Sequence, residues 1–165
     1  SDNPEKSAEL YYERGLAYIE DGNINEAYSD LNHVAATYSK SVFADKAKLE
    51  LGLLELVRDN YTNALELFKY ISENRTDEIA AKAEYYYGLT LMESGNYTDA
   101  VSAFIRVNNL HSMYREWNVL AFLKTGDCYV KLKDKSKARE FYNAVISNDQ
   151  YGNAAKEAKQ KLRKL

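Results

Sequence analysis

The sequence predicts an all-α protein made of four copies of one helical hairpin and closed by a further helix, and three observations carry that prediction. A glycine and an alanine stand twelve residues apart four times over, as Gly15 with Ala27, Gly52 with Ala64, Gly88 with Ala100 and Gly126 with Ala138. The alanines follow one another at intervals of 37, 36 and 38 residues, the mark of a repeated supersecondary unit. Between these positions apolar residues recur at helical spacing, and one proline and seven glycines are too few for the turns of an all-β fold.

Asn3-Pro4-Glu5 reads as an N-cap, a proline at the first helical position and an acid in the first turn, so the first helix should run from there to about Asp21. Gly22 stops it, Ile24 serves as a staple, and Asn25 is expected to cap a second helix reaching about Ser39. The cap recurs as Thr62, Thr98 and Ser136, each ten residues beyond its repeat's glycine, as Asn25 is. Further helix pairs are expected over about 42–58 and 62–73, then 77–94 and 98–107. The connector from Asn108 to Asn118 is the longest and most aromatic. Its His111, Tyr114 and Trp117 either anchor a partner or lengthen the next helix and pack on the one before it. The first helix of the fourth pair then runs to about Leu132, its second spans about 136–147, and a closing helix starts at about Asn153. That last helix carries a narrow stripe of Ala154, Ala155, Ala158 and Leu162 against a charged remainder. Antiparallel helices approach closely only where side chains are small, which is the role expected of each glycine and its alanine at the crossing.

The run from Tyr85 to Phe104 places Gly88, Leu91, Gly95, Tyr97, Ala100 and Phe104 where a hairpin needs thin contacts, an apolar stripe, a turn, a staple and a core plug. In this it resembles a tetratricopeptide repeat. The resemblance implies a right-handed α-solenoid of four tetratricopeptide hairpins plus a C-terminal capping helix. It implies a single domain over 1–165, with repeats at about 8–41, 45–76, 81–112 and 119–148 and the cap at about 153–165. The connector Tyr38-Ser39-Lys40-Ser41-Val42-Phe43-Ala44 lacks the proline common in such repeats. With the ending Asn153 to Leu165, it resembles the bacterial envelope branch that includes the C-terminal domain of the Tol-Pal coordinator and the outer-membrane assembly lipoproteins. That likeness implies a periplasmic or outer-membrane-associated location. A single cysteine, Cys128, gives no vote on redox compartment and leaves a cytoplasmic location open.

Composition narrows the function classes. The formal charge of −3 conceals an asymmetry: residues 1–130 carry 12 Lys and Arg against 21 Asp and Glu, whereas 131–165 carry 10 against 4. A basic end on an acidic body fits an anionic partner, but Lys and Arg also complement a terminal helix's dipole and solvate the open end of a stack. The aromatic interleaving of a nucleic-acid binder is missing, so no nucleic acid is expected. No apolar run approaches the roughly 18 residues that span a bilayer, so no membrane insertion is expected. His33, His111 and Cys128 stand apart, and no metalloprotease, CxxC, nucleophile-elbow or phosphate-loop pattern occurs, so neither an enzyme nor a cofactor is expected.

What remains is a protein or peptide partner. In the family that the chain resembles, the first helix of each repeat lines a concave surface. Matched through the repeat glycine, those positions imply a ligand-binding groove of Tyr12, Leu16, Ile19, Leu49, Leu53 and Leu56 in the first two repeats. Lys82, Tyr85, Leu89, Met92, Leu123 and Asp127 continue it, and the same matching adds Glu9, Glu20, Lys46, Val57, Glu93, Leu120, Val130 and Lys131. The family's carboxylate clamp is absent, since Tyr12 and Leu16 stand where it has lysine and asparagine, and Glu50 where it has a second asparagine. An extended or helical apolar segment is therefore the expected ligand. A structural spacer or a self-association element forming a homodimer is the alternative.

Overall fold

A computed structural model describes residues 3–149 and 152–165, and among these the protein is all-helical, with nine helices and no strand. Two compact units divide the chain, residues 1–71 and 72–165.

The first unit holds α1 (Pro4–Glu20), α2 (Ile24–Thr37), α3 (Val42–Val57) and most of α4 (Tyr61–Asn74). Pro4 opens α1 and the Asn3 side chain accepts the Glu5 N–H at 3.0 Å. Ser41 caps α3 in the same way, accepting from Phe43 at 3.1 Å. Its core joins Tyr12 and Ala8 of α1 to Leu31 and Val34 of α2 and to Ala47, Leu51 and Leu54 of α3. Arg14 clamps α1 to α2 by donating from Nε and Nη2 to the two oxygens of the nearly buried Asp30, at 2.6 and 2.7 Å.

The second unit holds α5 (Glu78–Glu93), α6 (Tyr97–Leu110), α7 (Arg115–Lys131), α8 (Lys135–Asn148) and α9 (Asn153–Leu162). Asp77 caps α5, and its hydrogen bonds from Arg75 hold the carboxyl below the usual carboxylate range. Glu84 of α5 pairs with Arg106 of α6 at 2.6 Å, a counterpart to the Arg14–Asp30 clamp with the charges exchanged. Tyr142, Val145, Val119 and Leu123 make a core against which Ala158 of α9 is packed with no exposed surface.

One turn joins the two helices of every hairpin. At the end of α1, Gly22 N–H donates to Ile19 O at 3.1 Å and Asn23 N–H reaches back to Tyr18 O at 2.8 Å, with Gly22 at φ +76°. This is a Schellman closure, in which a left-handed residue turns the last carbonyls onto two orphan N–H groups. The pair of bonds recurs from Asp59 and Asn60, from Gly95 and Asn96, and from Lys133 and Asp134. The residue that completes the closure also starts the next helix, since the carbonyls of Asn23, Asn60, Asn96 and Asp134 accept the N–H of Ala27, Ala64, Ala100 and Ala138 at 3.0–3.1 Å. So tight a turn leaves no slack, and the second helices begin one residue before the expected caps. Asn25, Thr62, Thr98 and Ser136 therefore lie inside helices rather than at their caps.

The small-residue crossing also differs from the expectation. Each glycine faces not its alanine but the bulky residue sixteen positions on: a Cβ on Gly15 would stand 3.0 Å from Leu31, and one on Gly88 would stand 2.8 Å from Phe104. Gly52 meets Phe68 and Gly126 meets Tyr142 in the same way. The glycine makes room for a large core side chain of the second helix, while the alanines are fully buried at the place where that helix starts.

Candidate functional site

The expected groove residues divide by burial. Tyr12, Leu49, Tyr85 and Leu123 are buried, with Tyr12 at 8% and Tyr85 at 6% exposure, whereas Leu16, Ile19, Leu53, Leu56, Lys82, Leu89, Met92 and Asp127 are half-buried. Tyr12 belongs to the core of the first unit, on which Leu16 and Ile19 pack. Burial, with the nearby carboxylates of Glu50 and Glu13, pushes the Tyr12 phenol up to about 12, so it stays neutral. Tyr85 sits in an aromatic group with Phe104 at 5.7 Å and Trp117 at 5.5 Å. Trp117 lies in the first turn of α7, packs with tilted rings against Tyr85 and Tyr86 of α5, and donates its indole N–H to Glu78 at 3.3 Å. It is thus packed on α5, two helices back. Its neighbour His111 is also buried, and desolvation holds its imidazole below its ordinary value.

The second unit contains a cleft of about 520 Å³ into which several of these elements converge. Helix α5 contributes Met92 and Glu93 from its last turn, and Tyr97 follows at the start of α6. Helix α7 contributes Asp127, Val130 and Lys131, and the Tyr142 ring of α8 closes the base. The remaining wall is α9 and the residues after it, through Lys161, Lys164 and Leu165. Of the expected groove residues, Met92 and Asp127 meet here, together with the neighbouring Glu93, Val130 and Lys131.

Asp127 is the hub of the wall. One oxygen, Oδ1, accepts both the Tyr142 hydroxyl and the Lys161 ammonium at 2.7 Å, and Lys124 stands 3.9 Å from the other. Lys161 reaches Glu157 as well, at 3.1 Å. Burial disfavours its charge, but the Asp127 and Glu157 carboxylates outweigh that and raise its value, so the ammonium persists. Burial, with the hydrogen bond to Asp127, raises the Tyr142 phenol. The Lys135 ammonium donates to the Leu165 carbonyl at 2.8 Å and fixes the segment after α9 beside the cleft.

Sequence reasoning gives α9 only the role of a polar cap, so Lys161, Lys164 and Leu165 are missed as site residues. The basic run at the end of the chain is the signal that marks them, but the run also suits a helix dipole and does not say where the lysines point. Among the described residues no group of His, Cys, Asp and Glu could hold a metal ion, and no helix is long and apolar enough to cross a membrane. Cys128 is buried, and burial pushes its thiol up to about 12, far from the thiolate that reacts.

Comparison with known proteins bears on the fold. The chain is similar to a solved structure described as MamA MSR-1 C2, with a TM-score of 0.67 and 17% identity over 87% of this chain and 77% of that one. It is similar also to the pilF protein of Pseudomonas aeruginosa, with a TM-score of 0.74 and 18% identity over 99% of this chain and 72% of that one. At these identities the likeness is one of fold. No curated protein sequence matches the chain. Three tetratricopeptide repeat models match residues 8–37, 49–108 and 120–150, and they cover the four hairpins in turn. The glycine pockets, the repeated Schellman turns and these matches agree, and the chain belongs to the tetratricopeptide repeat family.

Proposed function

We propose that this tetratricopeptide protein is a non-catalytic docking module that receives a segment of a partner protein in the cleft of its second unit. Tetratricopeptide repeats are in general protein–protein interaction modules. The observation that carries the finer reading is the cleft itself, which is large enough for several side chains and combines apolar Met92 and Val130 with an Asp127–Lys161 pair already fixed by its partners. A rigid wall of this kind costs little ordering on binding, because Asp127, Tyr142 and Lys161 hold one another in place before any ligand arrives. Half-buried Leu89 extends the reading along α5, and Leu16, Ile19, Leu53 and Leu56 assign a second contact strip to the first unit. Tyr12 and Tyr85 support these surfaces from beneath, since their rings are mostly withdrawn from solvent. The likeness of the first connector and the closing segment to envelope proteins supports a setting in a larger bacterial envelope-associated protein.

Selection of a random-peptide display library on the immobilised protein tests this reading. Peptides that survive should lose at least tenfold in affinity for Met92→Asp and Val130→Asp, about 1.4 kcal/mol or more. They should keep their affinity for the exposed controls Glu66→Ala and Arg139→Ala. Peptides indifferent to both cleft substitutions would overturn the reading. A library that yields nothing, with a dimer in light scattering that Leu53→Asp or Leu89→Asp abolishes, would favour self-association instead.

A further inference from the structure

The cleft has a charge pattern that the docking reading does not use. Its lining carries three lysine side chains against two carboxylate side chains, and one of those, Asp127, is already satisfied by Lys161 and Tyr142. Lys161 is spent in turn on Asp127 and Glu157. Lys131 at the end of α7 and Lys164 just beyond α9 are exposed, and among the described residues neither has an ion pair. Glu93 is the one carboxylate of the lining outside that network. The rest of the molecule sharpens the contrast, because residues 1–130 are strongly acidic and the basic excess lies in 131–165. The lysines that face the cleft are drawn from that basic stretch.

We infer that the cleft selects an acidic protein segment: one that seats an apolar side chain on Met92 and Val130 and places carboxylates against Lys131 and Lys164. This rests on the docking reading and adds the chemistry of its ligand. The apolar pair Met92 and Val130 settles the class of polyanion. A nucleic acid gains its affinity from many phosphate contacts, commonly six to ten, and two unpaired lysines beside a methionine and a valine supply too few. A short segment needs only two or three carboxylates and one apolar anchor to match both features. Glu93 then fixes direction, since the acidic end of the segment is repelled from α5 and drawn to α7 and α9. Helix α9 gains a second task, for it supplies the cationic wall as well as covering α8.

The same display selection decides the matter through composition. Peptides enriched on the parent protein should carry Asp or Glu within a few residues of a Leu, Ile, Met or aromatic residue. The double variant Lys131→Glu, Lys164→Glu, both exposed positions, should bind them at least tenfold more weakly and should select neutral or basic peptides instead. Raising sodium chloride from 50 to 300 mM should weaken the parent several-fold and should not weaken the double variant, because screening removes an attraction in the parent and a repulsion in the variant. Enrichment of neutral or basic peptides on the parent, still lost on Met92→Asp, would overturn this inference while leaving the docking reading intact. Binding of a random single-stranded oligonucleotide at 150 mM salt that competes with the peptides and is lost in the double variant would overturn it in favour of a nucleic-acid site. Peptides indifferent to both Met92→Asp and Val130→Asp would remove both.

Discussion

Two of the four left-handed turn residues are not glycine. Lys133 has φ 62° and Asp59 has φ 59°, where Gly22 and Gly95 fill the equivalent places in the other hairpins. A left-handed L-residue costs about 1–2 kcal/mol, and a glycine relieves that but gives part of it back by raising the entropy of the unfolded chain. Lys133→Gly should therefore raise stability by about 0.5–1 kcal/mol in urea melts. Asp59→Gly should gain less, since the Asp59 carboxylate accepts the Tyr61 hydroxyl at 2.9 Å and the substitution forfeits it. The repeat glycines are a contest of the opposite sign. Alanine in a helix is worth about 1 kcal/mol over glycine, whereas overpacking costs about 1–3. At Gly15 the obstacle is the branched end of Leu31 at 3.0 Å, which can turn aside, so Gly15→Ala should be close to neutral. At Gly126 the obstacle is the Tyr142 ring at 2.5 Å, tied by its hydroxyl to Asp127, so Gly126→Ala should lower the thermal midpoint clearly. Equal effects at the two glycines would show that the rings do not fix the spacing. His111 supplies a pH dependence. Its value lies below that of the unfolded chain, about 6.5, because burial disfavours the imidazolium. The unfolded chain thus binds more protons as pH falls through about 6.5, and stability is lost from there down to the lowered folded value. His111→Gln should flatten that slope in melts taken between pH 7.5 and 5.

At the scale of the element, α9 is held by small residues. Ala155 and Ala158 are fully buried, and so short a side chain lets the helix lie close to α8 while contributing little area of its own. Lys161 to Asp127 and Lys135 to the Leu165 carbonyl supply the polar fastening. Deleting 153–165 should expose Tyr142, Val145 and Ile146, which now sit against the α9 side of the core. The truncated protein should keep the circular dichroism of α1 to α8 and become concentration-dependently associated in size exclusion, since terminal repeats need a polar outer face. A truncated chain that stays monomeric and melts with the parent would show that α9 serves the cleft alone.

At the scale of the molecule, the unit of residues 72–165 contains the whole cleft, its own core and the closing helix. A fragment from Arg75 to Leu165 should therefore fold as a helical monomer and bind the selected peptides within about threefold of the full chain. Repeat stability is a sum of local and nearest-neighbour terms, so the fragment should melt at a lower temperature while keeping its site. A folded fragment that has lost the peptides would place essential contacts in the first unit, on Leu16, Ile19, Leu53 or Leu56.

The class, the number of hairpins and the helix boundaries to within a few residues were legible in the sequence. Those depend on local chemistry: Asn3 and Pro4 at a start, Gly22 and Gly95 at a stop, and apolar spacing at 3.6 residues between. The repeat glycines were legible as close approaches because they recur at one fixed place in each repeat, yet their partners were not, since a residue sixteen positions on is selected by the packing angle of two helices. The half-buried and buried groove positions look alike in the sequence for the same reason. Tyr12 and Leu16 are both apolar on one face of α1, and only the neighbouring helices decide that the ring goes into the core and leaves Leu16 partly in solvent. The convergence of Lys131, Asp127, Tyr142 and Lys161 joins side chains up to 34 residues apart on three helices. Tertiary structure alone made a cleft of them, because the direction in which each lysine points depends on where α9 docks.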